Sequence, residues 1–270
     1  MEAKPYSTIQ YESRGRVAWI TLNRPEVHNA FNSVMIGELI SVFDRIKGDP
    51  RVRVAVLTGK GRSFCAGADL NWMREIIQYS YEQNLAESLQ IAELHHLIYT
   101  LSKPTVAMVN GTAIGGGTGF LSACDIAIAS EEARFGLSEV KLGLVPAAIS
   151  PYVVRKIGEN KSREYFLTGV RISAQKAREI GLVNEIVPLQ DLEARVGGLV
   201  DQLLTSGPEA LSRCKELIFN VTRMGTEEAK EYTARMIADL RISPEGQEGM
   251  AAFLEKRRPS WVEEQDEEKG

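Results

Sequence analysis

Apolar positions change period several times along the first hundred residues. Segments 8–11 and 17–22 alternate or run apolar around Ser13-Arg14-Gly15, which predicts a β-hairpin closed by Asn23-Arg24-Pro25. Ser33 fits an N-cap for a helix carrying Val34, Leu39, Ile40, Phe43 and Ile46, and Gly48-Asp49-Pro50 ends that helix. Segment 52–58 predicts a buried strand and 59–67 a glycine-rich loop. Helical spacing returns near Leu70 and again over 84–101, until Lys103-Pro104 breaks it. A strand at 105–109 precedes a second glycine-rich loop, 111–119, that runs into a short helix through Ala123. A strand at 125–129 and an extended piece near Arg134-Phe135 follow.

Short apolar strands alternating with helices over the first 190 residues predict an α/β core whose sheet carries helices on its faces. From Asp191 the pattern is helical, over 191–205, 208–223, 225–241 and 244–257, with Gly207-Pro208 and Ser243-Pro244 as start signals. The chain divides into a core over 1–195, a helical region over 196–262 and an acidic, solvated tail over 263–270, which has no apolar anchor.

Composition narrows the function. With 44% hydrophobic residues in a chain of 270, disorder is excluded as the main state. Lys plus Arg number 32 against 36 acids, and outside the last eight residues the two signs balance at 31 each, so no basic footprint offers itself to nucleic acid or anionic lipid. Cys65, Cys124 and Cys214 are far apart and form no Cys-x-x-Cys pair, so no metal is expected. The polar N-terminal stretch and the lack of 18 consecutive apolar residues imply a cytoplasmic protein away from membranes.

Several chemistries lack their residues. No phosphate-binding Gly-x-x-x-x-Gly-Lys loop occurs, and Phe120 stands where a Gly-x-Gly-x-x-Gly motif needs its last glycine. No Gly-x-Ser-x-Gly elbow or His-Glu-x-x-His helix is present. His95 and His96, adjacent on a helix, point to different sides and read as structural or exposed. Cys65, with no partner base in view, reads as core filling and Asp125 as a turn or cap carboxylate.

Two glycine-rich segments each follow a strand and enter a helix: Phe64-Cys65-Ala66-Gly67-Ala68-Asp69-Leu70 and Asn110-Gly111-Thr112-Ala113-Ile114-Gly115-Gly116-Gly117. Small residues at a helix start leave main-chain N–H groups uncovered, and two N–H groups converging on one oxygen make an oxyanion hole. The same glycines also serve tight turns and close helix–sheet packing, and spacing alone does not choose.

FCAGADL, NGTAIGGG, ACDIAIASEEARFG and LSEVKLGLVP in this order, with NRPEVHNA before and EGMAAFLEKRRPSW after, resemble the enoyl-CoA hydratase/isomerase (crotonase) superfamily across nearly the whole chain. The resemblance implies an α/β spiral of ββα repeats with a helical C-terminal region used in trimer or hexamer assembly. It also implies an acyl-CoA thioester substrate, with coenzyme A part of that substrate and no separate cofactor. It puts the oxyanion-hole N–H groups on Ala68 and Gly116, and CoA contacts on Val27, His28, Asn29, Ala66, Ala68, Leu70, Phe253 and Lys256. It puts a catalytic carboxyl on Glu139.

Three departures stand out, the first at the CoA contacts and the other two at the acyl pocket. His28 stands where Lys or Arg is common. Gly119 replaces the first glutamate of the family's hydratases, either opening space beside the acyl group or letting another helix pack closely. Pro146-Ala147-Ala148-Ile149-Ser150-Pro151 replaces a glycine-rich stretch. Trp72, Met73, Gly119, Ala147 and Tyr152 are the candidate acyl-pocket residues.

One glutamate is compatible with hydration of a 2-enoyl-CoA or with an isomerase that moves a proton between Cα and Cγ. The motif combination looks like bacterial hydratases of the methylglutaconyl-CoA and isohexenylglutaconyl-CoA type, whose branched acyl chains bear a second carboxylate. Lys141 and Arg155 are candidates to meet it. An RNA-binding relative of this fold and an inactive CoA-binding member are the readings of another class.

Overall fold

The computed structural model describes residues 6–262, so the acidic tail over 263–270 lies outside the described residues. Two compact units divide the chain. One runs to Leu101 and from Thr105 to Gly198, and the other comprises Ser102–Pro104 and the chain from Leu199 onward.

The first unit holds two sheets where the sequence pattern suggests one. Strands β1 (Ile9–Arg14), β2 (Val17–Leu22), β3 (Val54–Gly59), β5 (Thr105–Val109), β7 (Ile126–Ser130) and β10 (Glu185–Val187) lie side by side in that order. The hairpin β1–β2 is antiparallel and every later pair is parallel. A smaller sheet has the order β4 (Ser63–Cys65), β6 (Thr112–Ile114), β8 (Arg134–Gly136) and β9 (Arg171–Ser173). Strands β3, β5 and β7 of the first sheet are each followed by a short strand of the second and then by helix: β3 and β4 by α2 (Leu70–Ile76), β5 and β6 by α4 (Gly116–Ala123), β7 and β8 by α5 (Ser150–Thr168). This is the ββα spiral.

Parallel strands covered on both sides are apolar throughout, and β3 is buried at all six positions. Helix α1 (Ser33–Gly48) lays Met35, Ile36, Leu39, Val42, Phe43 and Ile46 on one stripe. Its N-cap is Asn32, not Ser33: Asn32 is extended and its Oδ1 accepts from the Met35 N–H at 3.0 Å. Helix α2 (Leu70–Ile76) is short. Helix α3 (Tyr81–Thr100) begins three residues before the expected start, because Ser80 and Gln83 form a capping box.

Helix α4 (Gly116–Ala123) is buried from Gly117 to its end. Helix α5 (Ser150–Thr168) bends at Gly158, whose φ is 73°, and α6 (Ala174–Glu179) leads toward β10.

Helix α7 (Leu192–Leu204) contains the boundary between the units. The second unit continues with α8 (Pro208–Val221), α9 (Thr226–Ile242) and α10 (Pro244–Leu254). Glu245 of α10 accepts from the Glu209 and Ala210 N–H groups, both at 2.8 Å, and so caps α8. Among the described residues no helix is long and apolar enough to cross a membrane.

Candidate active site

The site grows from two chain crossings. In the first, segment 24–31 is stitched to 66–69: the Ala66 N–H donates to the His28 carbonyl at 3.0 Å, Phe31 to Gly67 at 2.8 Å and Asp69 to Phe31 at 2.9 Å. The last two make an isolated parallel bridge between Phe31 and Ala68, so the Ala68 N–H faces away from its neighbour chain. Side chains fasten this crossing. Arg24 is paired with Asp69 at 2.7 Å and donates to the Ala30 carbonyl at 2.6 Å. Asn29, fully buried, donates to the carbonyls of Lys60 and Ser63 at 3.0 and 2.8 Å.

Asp69 also caps α2, accepting from the N–H groups of Asn71 and Trp72. Burial alone would raise its pKa, but the Arg24 hydrogen bond and the two main-chain donors outweigh that and hold it below the usual carboxylate range. Val27, His28, Asn29, Ala66 and Ala68 are thereby brought together. His28 is exposed with φ 55°, its Nδ1 3.0 Å from the Ser63 hydroxyl. Leu70 is exposed at the start of α2.

The second crossing is the start of α4. Gly115 has φ 52° and ψ −123°, a conformation open to glycine, and supplies no side-chain cap. The first N–H groups of α4, Gly116 included, therefore have no cap from it, and a helix start carries partial positive charge. A Cβ at Gly117 would lie 2.3 Å from the Cys65 carbonyl oxygen, so only glycine lets β4 approach this closely. Both glycine roles left open by the sequence, bare N–H groups and close packing, are present together.

Glu139 opens a single 3-10 turn, Glu139–Leu142, after β8. Its Oε1 comes within 3.1 Å of where a Gly115 Cβ would stand, and its Oε2 is buried with no hydrogen-bond partner among the described residues. Burial pushes its pKa up, against a smaller lowering from its own main chain.

Gly119 opens no space. A Cβ there would lie 2.2 Å from Ile149 Cγ2 and 2.6 Å from His95 Nε2, so α3 and the residue before α5 already fill the volume. Of the two readings of Gly119, close packing of another helix is the one observed. Trp72 and Tyr152 are buried, Met73 is half-buried and Ala147 is exposed.

The sequence pattern gives no hint of the row of rings connecting them: Trp72–Phe31 at 5.7 Å, Phe31–Phe120 at 5.6 Å, Phe120–His95 at 5.1 Å, His95–Tyr152 at 5.9 Å and Tyr152–Tyr99 at 5.2 Å. Arg155 lies over Tyr99, 5.4 Å from its centroid, whereas the Lys141 stem lies against Gly169. Glu87 was also missed. It accepts from Trp72 Nε1 at 3.2 Å and keeps a buried, unpartnered Oε2, and its spacing of eight from His95 puts both on one face of α3.

Cys65 is fully buried and its thiol is pushed up to about 12, which fits core filling rather than nucleophilic work. Asp125 accepts from the Thr105 N–H and hydroxyl. Phe253 and Lys256 belong to the second unit, at the end of α10, where Phe253 is 83% exposed and Lys256 has φ 56°.

Two glycine-rich crossings beside a half-buried carboxyl, carried on a spiral of ββα repeats, make an arrangement suited to holding an oxyanion and moving a proton. The comparisons agree. Residues 12–265 match the enoyl-CoA hydratase/isomerase family model. A solved enoyl-CoA hydratase from Shewanella pealeana is 41% identical, with TM-score 0.92 over 95% of this chain and 96% of its own. Another from Bacillus anthracis is 32% identical, with TM-score 0.88 over 96% and 100%. A Thermus thermophilus relative is 39% identical over 251 residues, which is 93% of this chain and 99% of its own. This chain belongs to the enoyl-CoA hydratase/isomerase family, whose substrates are acyl-CoA thioesters.

Proposed function

We propose that this enzyme hydrates the double bond of a 2-enoyl-CoA with a branched or carboxylated acyl chain, of the methylglutaconyl-CoA type. The observation that carries the reading is Glu139: one half-buried carboxyl, raised toward its acid form, with a buried oxygen that has no partner among the described residues, beside the start of α4.

The thioester oxygen accepts from the Ala68 and Gly116 N–H groups, and negative charge develops there as water adds to Cβ. Loss of one such donor typically costs about 3 kcal/mol in the transition state. Glu139 in its acid form gives its proton to Cα while its other oxygen takes the proton released by the water. One C–O bond and one C–H bond form, the π bond breaks, and the carboxyl ends as it began. A single carboxyl therefore suffices, and no cofactor beyond the CoA of the substrate is needed.

Val27, His28, Asn29, Ala66 and Leu70 are proposed to meet the CoA portion, with Phe253 and Lys256 contributing from the helical region of a homotrimer or a dimer of trimers. Arg155, held over Tyr99 beside Tyr152, is the proposed partner of a second carboxylate.

The second reading, an isomerase moving a proton from Cα to Cγ, is favoured by the same lone carboxyl. Mass spectrometry of straight, branched and carboxylated 2-enoyl- and 3-enoyl-CoAs in isotopically labelled water separates them. Gain of labelled oxygen identifies a hydratase. A shifted double bond with exchanged hydrogen identifies an isomerase.

A further inference from the structure

The two crossings share a third segment. Between β3 and β4 the chain turns through Lys60, Gly61 and Arg62, β4 opens at Ser63, and the carbonyls of this turn are taken up from both sides. Asn29, from the first crossing, donates to the Lys60 and Ser63 carbonyls at 3.0 and 2.8 Å. Asn110, from the second, donates to the Gly61 carbonyl at 2.8 Å and to that of Ser63 at 3.4 Å, while its Oδ1 accepts from the Gly59 N–H at 3.2 Å. A Cβ at Gly111 would collide with the Arg62 carbonyl, so the main chains touch there as well. The turn is a clip on both crossings.

What the clip holds is a spacing. Ser63 is the first rung of the parallel pair β4–β6, opposite Thr112, and Cys65 lies opposite Ala113. Just beyond Cys65 the chain reaches Ala68, and just beyond Ile114, the end of β6, it reaches Gly116. The register that begins at Ser63 therefore runs on to both N–H donors, which must each stand within about 2.7–3.1 Å of the oxyanion.

Ser63 is buried, and its hydroxyl lies 3.0 Å from His28 Nδ1. A hydroxyl can give or take that bond, so it forms with either tautomer of the ring. His28 and Asn29 are consecutive residues with φ of 55° and 56°, a left-handed conformation that few side chains adopt. The turn they make buries Asn29 completely and leaves His28 exposed. On the clip, Lys60 and Arg62 are also exposed, and neither has a carboxylate partner among the described residues. Two unpaired cations on the loop that His28 touches suit the phosphates at the nucleotide end of CoA.

We propose that Ser63 is a positioning residue that links the nucleotide end of CoA to the oxyanion hole. The nucleotide engages His28 and the clip together, the Ser63–His28 bond joins the two, and the β4–β6 ladder sets the Ala68 and Gly116 N–H groups at the distance the enolate requires. Binding energy from a part of the substrate that does not react is thereby turned into rate rather than affinity. This rests on the CoA placement proposed above and holds for hydratase and isomerase alike.

The test gives the full chain the acyl group that turns over in the mass-spectrometric panel, carried either on CoA or on pantetheine, which lacks the nucleotide. In the wild type kcat should be higher with CoA. In Ser63→Ala the ratio of the two kcat values should fall about tenfold, the effect of one hydrogen bond, while KM for the acyl-CoA stays level or drops. Equal kcat values in the wild type overturn the proposal. So does a ratio that Ser63→Ala leaves alone, whether both rates hold or both fall together, the latter showing a purely structural serine.

His28→Ala separates this inference from the reading beneath it. If kcat/KM for the acyl-CoA equals wild type in that variant, the CoA placement and this inference go together, whereas a lowered kcat/KM there with an intact ratio in Ser63→Ala removes this inference alone. Should Ser63→Ala not fold, or the panel yield no substrate, the Gly116 amide resonance of the wild-type chain decides. Adenosine 3′,5′-bisphosphate, the nucleotide end alone, moves it if the clip transmits, and a resonance that stays in place under excess nucleotide overturns the proposal.

Discussion

The two glycine-rich segments present main-chain N–H groups by opposite means. The first, 64–70, is held by polar side chains that reach across to it or to the chain just before it: Arg24 to Asp69, and Asn29 to the Lys60 and Ser63 carbonyls. The second, 110–119, is held by side chains that are not there, since a Cβ at Gly117 or Gly119 would strike Cys65 or Ile149 and His95. The first segment should fail when something is deleted and the second when something is added.

Glu139→Gln separates chemistry from both and should have the largest effect. Turnover is expected to fall about 10²- to 10⁴-fold in steady-state assays while acyl-CoA binding changes little. The stability change has a definite sign. Burial raises this carboxyl above its ordinary 4.5, so ionising it destabilises the fold as pH climbs from about that value through the raised one. Gln cannot ionise. The variant's Tm should match wild type near pH 4 and exceed it near neutrality.

Asp69→Ala comes next, because it leaves Arg24 mostly buried without its carboxylate and α2 without its cap. A loss of about 3–5 kcal/mol in urea unfolding is expected. Here the sign is reversed. The wild-type carboxylate is held below its ordinary 3.8, so its stabilisation is present above that value and disappears as pH falls through the lowered one. The gap between variant and wild type should therefore narrow in acid.

On the second segment, Gly117→Ala forces β4 away from α4 and should cost about 3 kcal/mol by the same unfolding measurement. Gly119→Ala meets side chains rather than main chain, and it gains roughly 1 kcal/mol of helix propensity against an overpacking cost of 1–3 kcal/mol. A net loss of about 1 kcal/mol is expected, the smallest of the four. A Gly117→Ala chain as stable as wild type would erase the contrast between the two segments.

The same contrast explains what could be read in advance. Helix α1 and strands β3, β5 and β7 announce themselves because six apolar side chains on one helical stripe, or four consecutive apolar residues in a strand, keep one period long enough to be seen. Strands β4, β6 and β9 have three residues each, too few to show alternation, so the second sheet is invisible in the pattern. The motif residues around Ala68, Gly116 and Glu139 are recognisable by resemblance. That Glu139 keeps an oxygen without a partner is not, because it depends on what the other chain segments fail to supply. The packing of His95 has no local signal either, since what it meets is Gly119, on a different helix.

The bridge between Phe31 and Ala68 has one more consequence, for how this enzyme would look under saturation mutagenesis. On the proposed reading position 68 contributes an N–H that nearly every amino acid possesses, and its half-buried methyl is incidental. Residue 116 contributes the same group, but any side chain there would run into the Phe31 ring at 2.6 Å. A mutational scan would score position 68 as permissive and position 116 as intolerant. The two halves of one chemical device would be filed under opposite headings, and only proline, which has no N–H to give, would reveal at position 68 what the other substitutions conceal.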